Sequence, residues 1–541
     1  MPLTPAGRYP RYRVPRDDGQ TLCVPPWSAA SELLARNRAE IMSRDGDLLG
    51  QSVVELTRTA RSAVADAAAD YTRSYADVPV PSHADLPMVV TGHQPGFVHP
   101  GVWLKNFAAA QLAADSGGVA ISLVIDSDLC RSTSILVPTG SVAEPRCDQV
   151  PYDGALAQTP WEERRLADRA TWQSFGTRAA QTLAPLVPAP LVSEWWPEVI
   201  AEGREQGRLS SALSQARHRL ERAWGNKSCE IPQSLVCQTA PFRRFMVSLL
   251  AAAERFRAAH NQSLAEYRRE HRLRNHAQPM PDLALADDWI EAPYWLWSTS
   301  DPSRRALFVK PMRNELRLSD RAAFHETLPF SPGGDATEAI QRLAEWEARG
   351  LKLRTRALMT TMFARMFLAD VFIHGIGGAK YDQVTDAICE RMFGFRPPAH
   401  VTLTGTLRLP IPHAADSSET ERHLRQALRD LRFHPETSLA DQALSPSDRQ
   451  QVDQLVEQKR TWVRTARTSE NAAERHCQIV AANEALAVWT AARREQLEQE
   501  LRETDHRQRG NQLLDSREYP FCLFPHDLLR SFLLDFSPRM P

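Results

Sequence analysis

The chain has 541 residues, a hydrophobic fraction of 43%, a charged fraction of 24% and a formal net charge of −1. This length exceeds what one hydrophobic core usually serves, so we expect a main domain with helical insertions or appendages. The near-neutral charge disfavours nucleic acid as a partner, and no apolar run is long enough to predict a membrane-spanning helix. The arginine- and proline-rich N-terminus lacks the apolar core of a signal peptide, so we expect a cytoplasmic protein.

The 8 cysteines are scattered along the chain and include no Cys-x-x-Cys pair. This spacing argues against disulfides and against a structural zinc site. We therefore expect each cysteine to be a small buried hydrophobic residue. We assign no metal ligands in the predicted site.

The first half of the chain predicts a strand-helix-strand unit followed by a helical insertion. Residues 28–75 have helical character, and 88–90 form a short apolar run that stops before Gly92, as a buried strand does. Apolar residues at helical spacing follow over 102–114, and 119–125 predicts a second strand. Such units build parallel sheets. The pattern then stays mostly helical over 161–274.

The second half predicts another strand-loop-helix unit. Strand character returns at 306–309, and 356–368 has the spacing of a buried helix. Residues 371–373 then predict a strand, and an apolar helical face runs from 381 to 392 and ends at Gly394.

Beyond Pro412 the sequence becomes rich in charged helices. Ser445 is the expected N-cap of a helix, and the apolar residues that follow keep an approximate heptad spacing. This pattern predicts an antiparallel helical hairpin or short coiled coil, through which a homodimer could form. Residues 519–525 are too apolar for a free tail, so we expect them to dock on the body of the protein.

We therefore predict an α/β fold with a Rossmann-like parallel sheet core, helical insertions and a C-terminal helical hairpin or coiled coil. The expected divisions are an N-terminal arm and helices (1–80), the first part of the core (81–160), a mainly helical insertion (161–300), the second part of the core with a glycine-rich loop (301–415), and the hairpin with its docking tail (416–541).

The first candidate site is the loop that follows the strand at 88–90. In parallel sheets, anions bind where strands end and helices begin, because free amides and the helix dipole meet there. Gly92 and Gly96 permit a tight backbone beside Gln94, while His93 and His99 offer donors to a phosphate or carboxylate. The placement of His99 also resembles a His-x-Gly-His region whose histidines contact ATP, although the second histidine is missing. The alternative is that both histidines are structural and bond backbone carbonyls.

Two carboxylates, Asp126 and Asp128, follow the predicted second strand. They are placed to bind a substrate amine, a ribose hydroxyl or a metal. A turn with a helix cap is the structural alternative.

The second candidate site is the glycine cluster after the strand at 371–373. Its residues are His374, Gly375, Gly377, Gly378, Lys380, Tyr381 and Asp382. Three glycines in four residues followed by a lysine at a helix start predict an anion-binding loop. The alternatives are a tight turn with a solvated lysine, or a metal site that uses His374, Asp382 and Asp386.

Charged and aromatic residues elsewhere add to these loops. Arg356 begins a predicted apolar helix and is expected to point into the same cleft, whereas Lys352 and Arg354 look like surface charges. An aromatic cluster is expected to be core, with a cover over a ligand as the alternative; its members are Trp289, Tyr294, Trp295 and Trp297.

At these loops the sequence resembles the BshC family of cysteine-adding ligases in bacillithiol synthesis. The run Gly92–Gly96 followed by Lys105 is similar to that family's first glycine loop and its helical lysine, and Arg356-Ala357-Leu358 is similar to its Arg-Pro-Leu. Gly377-Gly378 followed by Tyr381 is similar to its second glycine stretch. Asp126-Ser127-Asp128 occupies the place of its acidic motif. The resemblance implies a Rossmann-like core with a coiled coil, and a reaction that joins cysteine to glucosaminyl malate.

Together these patterns predict a ligase that forms an amide bond between an amino acid and a carboxylate-bearing small molecule, with ATP or ADP as a candidate cofactor. The two glycine loops, His93 and Lys105 would hold an anion, and Asp126 or Asp128 would receive the amine. Lys380 and Arg356 would stabilise developing charge. The alternatives are a metal-dependent hydrolase on the same scaffold and a noncatalytic ligand-binding or assembly protein.

Overall fold

The computed structural model describes residues 10–78, 85–155, 157–275, 278–330, 335–412 and 418–536. The fold is mixed α/β. The chain divides into two compact units, of which the first comprises Met1–Val137, Asp148–Pro410 and Arg517–Pro541, and the second Pro138–Cys147 and Ile411–Ser516. The start of the predicted N-terminal arm, residues 1–9, lies outside the described residues. No helix among the described residues has both the length and the apolarity that crossing a membrane requires.

The strands, in chain order, are β1 (Thr21–Val24), β2 (Asp47–Leu48), β3 (Gln51–Ser52), β4 (Met88–His93), β5 (Val119–Val124), β6 (Ser134–Gly140), β7 (Pro145–Pro151), β8 (Cys229–Pro232), β9 (Leu285–Ala286), β10 (Trp289–Ser298), β11 (Asp301–Pro311), β12 (Glu315–Ser319), β13 (His325–Pro329), β14 (Leu351–Thr355), β15 (Val371–His374) and β16 (Val401–Gly405).

The helices are α1 (Ala30–Met42), α2 (Val53–Arg73), α3 (Pro100–Asp115), α4 (Arg169–Leu183), α5 (Val192–Gln206), α6 (Leu209–Ala223), α7 (Gln233–Val236), α8 (Ala240–Ala251), α9 (Ala253–His271), α10 (Thr337–Ala348), α11 (Ala357–Phe363), α12 (Ile376–Phe393), α13 (Ser418–Phe433), α14 (Pro435–Leu439), α15 (Pro446–Arg464), α16 (Ala472–Leu514) and α17 (His526–Leu534). Short 3₁₀ turns cover Trp27–Ala29 and Phe521–Leu523, and α11 continues as a π-helical turn over Ala364–Leu368.

The first unit contains a six-stranded sheet in the order β1-β16-β15-β4-β5-β8. Strand β1 is antiparallel to β16, and the other neighbours are parallel. The chain enters the parallel part at β4, adds β5 and β8 on one side, and then returns to add β15 and β16 on the other. The strand order therefore reverses between β4 and β15, which is the place where open parallel sheets bind ligands.

The parallel strands are apolar because both faces of the sheet are covered. Val90 and Ile121 belong to the same buried core as Val64 of α2 and Ile388 of α12. Helix α3 packs against β4, β5 and β16. Its close approach to β16 requires a glycine, since a Cβ at Gly101 would lie 1.9 Å from the carbonyl oxygen of Gly405.

The structure confirms the strand-helix-strand order of the first predicted core unit and the strand-loop-helix order of the second. The prediction of helix over residues 28–75 is only partly correct. The helix is interrupted between α1 and α2, where Gly46 and Gly50 have positive φ angles of 134° and 81°. The predicted strand-loop-helix segment of the core agrees more closely with the structure. Strand β15 precedes α12, and α12 ends at Gly394 with a left-handed φ of 79°, as its sequence predicts.

A second six-stranded sheet, antiparallel throughout, was not expected from the sequence. Its order is β13-β12-β11-β10-β14, with β9 paired to β10. The predicted mainly helical insertion thus contains helices α4 to α9 but ends in strands β9 and β10. A register shift between Glu291 and Trp295 interrupts the alternation of buried and exposed residues along β10. The sequence of β10 therefore lacks the two-residue period by which a strand is recognised.

The second unit is built around the 43-residue helix α16. Helix α15 packs on its N-terminal half through Val452 and Leu486, and α13 packs on its C-terminal half through Leu424 and Leu497. The predicted helical hairpin is present as α15 and α16. Ser445 caps α15 as expected, since its hydroxyl accepts a hydrogen bond from the Asp448 amide at 3.1 Å.

The C-terminal segment docks on α3 within the first unit, as predicted. The Phe521 amide donates to the Val98 carbonyl at 2.8 Å, and the Phe521 and Trp103 ring centroids are 4.4 Å apart. Aromatic burial therefore anchors this segment beside the first glycine loop.

Candidate functional site

A cleft of about 530 Å³ lies beyond the carboxyl ends of four strands in the first unit. It is lined by residues that directly follow these strands or end them, namely Gln94 after β4, Ser127 and Asp128 after β5, Gln233 after β8, and Thr355 and Arg356 at β14. The cleft thus receives residues from both sheets. We call this cavity the cleft throughout.

Three arginines and one carboxylate line the cleft, so its lining carries more cationic than anionic groups. Arg304 and Arg356 both lie against the Trp295 ring, with their Cζ atoms 4.7 Å and 4.2 Å from its centroid. The third arginine is Arg131, and the carboxylate is Asp128. An aromatic ring that holds two guanidinium groups fixes their positions without neutralising their charge.

Each of the two stacked guanidinium groups keeps spare hydrogen-bonding capacity. Arg356 donates to Glu291 Oε1 at 2.6 Å, and Arg304 donates to Asp128 Oδ1 at 3.2 Å. The Nε atoms of both arginines are buried and have no partner among the described residues. Both arginines also line the cavity, so an anionic ligand in the cleft can form charged hydrogen bonds with them.

The floor of the cleft is a network of neutral polar side chains. Ser127 donates to Gln233 Oε1 at 2.8 Å, and Gln233 Nε2 donates to Thr360 Oγ1 at 2.6 Å and also to Thr355. The Thr355 and Thr360 hydroxyls are 2.7 Å apart. Gln233 therefore ties the ends of β5, β8 and β14 together, and the sequence analysis missed it because no motif surrounds it.

The first glycine loop reaches the cleft through Gln94, which donates to the Asp128 carboxylate. Gly96 packs against Trp161, whose Cζ2 would be 3.1 Å from an added Cβ. His93 does not line the cleft. Its Nδ1 bonds the Gln94 carbonyl at 2.9 Å, its Nε2 lies 3.2 Å from the Asn106 amide nitrogen, and burial lowers its pKa well below the ordinary value. The structural alternative given for His93 fits this geometry better than a role as anion donor.

His99 also lies away from the cleft lining. It occupies the N-cap position of α3, and its Nε2 is 3.3 Å from Arg517 and 3.6 Å from the Glu518 carboxylate. Burial lowers the pKa of His99 to about 4, so this imidazole is neutral at pH 7.

Only the second carboxylate of the Asp-Ser-Asp run faces the cleft. Asp126 is buried and accepts from the Ser234 amide at 2.9 Å and from its hydroxyl at 2.5 Å, and burial raises its pKa. Asp128 lines the cleft between Gln94 and Arg304. The chain turns after β5, so the two side chains point to different surroundings.

The second glycine loop contributes Tyr381 to the cleft, whereas its neighbour Lys380 is exposed and does not line it. Gly375 is the N-cap of α12 and has no side-chain cap, and an added Cβ at Gly377 would meet open space. Gly378 has a packing role, because a Cβ there would lie 2.7 Å from His374 Nδ1.

Beneath this loop is a buried group that we call the Asp382 cluster, made of His374, Asp382, His400, Arg365 and Asp386. Asp382 Oδ2 lies 2.6 Å from His374 Nε2 and 2.9 Å from Arg365. Burial alone would raise the pKa of Asp382, but His374 and Arg365 hold it below its ordinary value.

Among the residues that the structure describes, three members of the Asp382 cluster have a spacing that would suit a metal ion. Ligand atoms of His374, Asp382 and His400 all lie within 4.8 Å of one another. However, the Arg365 cation already occupies Asp382 and Asp386, at 2.9 Å and 2.7 Å, and none of these residues lines the cleft. The arrangement is that of a structural ion pair.

Lys105 connects the two glycine loops. Its ammonium donates to the Gly92 carbonyl at 2.9 Å, and its Cδ would lie 4.0 Å from a Cβ at Gly375. Burial lowers its pKa to about 8. Lys105 therefore places a buried cation between the ends of β4 and β15, beside the N-terminus of α12.

Two further expectations are corrected. Arg354 is not a surface charge: it is 1% exposed and bonds Glu162 at 2.9 Å and Glu347 at 2.8 Å. The aromatic cluster is divided, because Tyr294 and Trp297 are buried in the core while Trp295 lines the cleft.

The sequence was compared with protein-family models and with functionally characterised proteins, and neither comparison gave a match.

Proposed function

We propose that this chain is a BshC-like ligase with a Rossmann-like core, which joins the amine of an amino acid such as cysteine to a carboxylate-bearing small molecule in the cleft. The observation that carries this proposal is the pair of arginines on Trp295, Arg304 and Arg356, which line the cleft with Arg131 beside the single lining carboxylate of Asp128.

The two kinds of charge in the cleft match the two reacting groups. Guanidinium groups bind carboxylates through paired hydrogen bonds, so Arg304 and Arg356 would hold the carboxylate substrate, with Arg131 adding positive charge. Asp128 would receive the amine of the amino acid. Holding both substrates in one cleft favours their reaction, since it removes the entropy cost of their encounter.

Amide formation from a carboxylate also needs activation, for which a nucleotide such as ATP would supply the leaving group. The uncapped N-terminus of α12, with Gly375 and Gly377, and the neighbouring ammonium of Lys105 would hold its phosphates. The reversal of strand order between β4 and β15 supports the Rossmann-like assignment.

The proposal places the reaction in the cytoplasm and leaves the α15–α16 hairpin as the surface for a homodimer. A noncatalytic binding protein would use the same cleft without turnover, so the test has to separate binding from reaction.

Calorimetry with glucosaminyl malate, cysteine and ATP, combined with mass spectrometry of the products, tests the proposal. We expect the wild-type chain to bind the carboxylate compound and Arg356→Gln to bind it at least 10-fold more weakly, because a charged hydrogen bond contributes about 1.5–3 kcal/mol. Arg305→Gln is the matched control. Arg305 follows Arg304 on β11, but it is exposed and pairs with Asp301 and Asp320. Binding without any amide product would favour the noncatalytic alternative, and no binding of any of the three compounds would refute the proposal.

A further inference from the structure

One wall of the cleft carries a histidine that no sequence motif singles out. His260 lies on α9, lines the cleft and is 4% exposed. Its Nδ1 is 3.0 Å from the side-chain oxygen Oδ1 of the next residue, Asn261. This contact determines which ring nitrogen carries the proton.

The backbone of Leu283 fixes the orientation of the Asn261 amide. Asn261 Nδ2 donates to the Leu283 carbonyl at 3.0 Å, and Asn261 Oδ1 accepts from the Leu283 amide at 2.8 Å. Because Oδ1 is therefore an acceptor, the Nδ1 of His260 must be the donor and bears the hydrogen. The lone pair is left on Nε2, which has no hydrogen-bond partner among the described residues.

The surroundings keep this imidazole neutral. Burial lowers the pKa of His260, and the charges of Arg356 and Arg268 lower it further, while Asn261 and Asp282 oppose this shift. At pH 7 the ring is therefore uncharged and its Nε2 is ready to accept a proton. A neutral base oriented by a neighbouring polar group is the arrangement that general-base catalysis uses.

We propose that His260 is the general base of the cleft and accepts at Nε2 the proton released by the attacking amine. This inference rests on the proposed function. The amine nitrogen forms its bond to the activated carboxyl carbon, and the phosphate-type leaving group departs with the electron pair of the bond that breaks. The proton moves from nitrogen to Nε2, and Asn261 Oδ1 stabilises the resulting imidazolium through the Nδ1 hydrogen.

Two measurements test His260 without depending on turnover. Nitrogen NMR of the histidine-labelled protein should show His260 as the neutral tautomer with hydrogen on Nδ1, assigned by its loss in His260→Gln. Diethyl pyrocarbonate should modify His260 at Nε2, and glucosaminyl malate in the cleft should slow this modification. Exposed His325 on β13 serves as the internal reference. A tautomer with hydrogen on Nε2, or a His260 that does not react, would overturn the inference.

Kinetic measurements provide the third test of His260. We expect His260→Gln to lower kcat by about 100-fold or more, to leave the Kd of glucosaminyl malate unchanged, and to remove the acid limb of the pH profile. Asn261→Leu should lower kcat less and change the NMR tautomer signal, while His325→Gln should change neither. Wild-type turnover with an unaffected His260→Gln contradicts only this inference. If the wild-type protein forms no amide, the proposed function fails, and the tautomer and labelling results decide whether His260 remains an available base.

Discussion

The cleft and the Asp382 cluster contain the same kinds of side chain but use their hydrogen bonds differently. In the Asp382 cluster, Arg365 donates to both Asp382 and Asp386, and Thr361 donates to Asp382 at 2.6 Å. In the cleft, Arg304 and Arg356 each bond one carboxylate, Asp128 and Glu291 respectively, and both line the cavity. The Nε atoms of all three arginines are buried without a partner among the described residues, so this atom does not distinguish the two regions.

This difference separates structural charge from charge that is available to a ligand. A guanidinium that bonds two carboxylates away from the cleft stabilises one arrangement and is not accessible to a substrate there. A guanidinium that lines a cavity gains an interaction when an anion binds. Both regions lie beside the same glycine loop, so the glycine pattern alone does not distinguish them.

The largest expected effect is the loss of the Arg365 cation from the Asp382 cluster. Arg365→Met should lower the free energy of unfolding by about 3–5 kcal/mol, because it leaves the buried Asp382 carboxylate and the partly buried Asp386 carboxylate without their counter-ion. Urea denaturation of the variant, beside Arg342→Met as an exposed control that pairs with Glu345 at 3.3 Å, measures the effect. A loss similar to that of the control would mean that Arg365 is not structural.

A second prediction extends the comparison to a buried carboxylate that is only partly satisfied. Glu230 bonds Arg217 through one oxygen, its Oε2 has no partner among the described residues, and burial raises its pKa to about 8. The folded state therefore holds a proton that the unfolded state loses near pH 4.5. Stability should fall as pH rises from about 4.5 to about 8.

Glu230→Gln tests this sign, since its side chain is neutral at every pH. We expect the unfolding free energy of the variant, relative to that of the wild type, to be higher at pH 8 than at pH 5. Urea denaturation at both pH values measures it. A constant difference across this range would show that Glu230 has the same pKa in both states.

The third prediction concerns the aromatic support of the cleft. Trp295→Leu should weaken binding of glucosaminyl malate by about 5- to 30-fold, as each cation–π contact contributes about 0.5–1 kcal/mol. Trp289→Leu is the matched control, because Trp289 lies on the same strand and contacts Arg321, at 5.7 Å, rather than a cleft arginine. Equal affinities of the two variants would remove the assigned role of Trp295.

The smallest effect is expected at the exposed end of the second glycine loop. Lys380→Ala should change the affinity for glucosaminyl malate by less than about 2-fold, since surface charges contribute little. Calorimetry beside Tyr381→Ala, whose side chain lines the cleft, provides the comparison. A larger loss in Lys380→Ala than in Tyr381→Ala would return Lys380 to the candidate site.

Parts of the site could be predicted because strand ends are visible in the sequence. The runs before Gly92 and His374 were recognised as strands, and Gln94, Asp128, Arg356 and Tyr381 do line one cleft. His93, Asp126 and Lys380 were selected by the same reasoning and lie elsewhere, because position in a loop does not specify the direction of a side chain.

The sequence by itself determined the local elements, such as the end of α12 at Gly394 and the cap of α15 at Ser445, because helix periods and caps depend on residues a few positions apart. The tertiary structure decided which charges are available. Arg304 on the antiparallel sheet, Gln233 after β8 and His260 on α9 meet in the cleft from separate parts of the chain. The sequence pattern does not specify the strand pairing that places Arg304 there. The burial of these three side chains depends on such distant contacts.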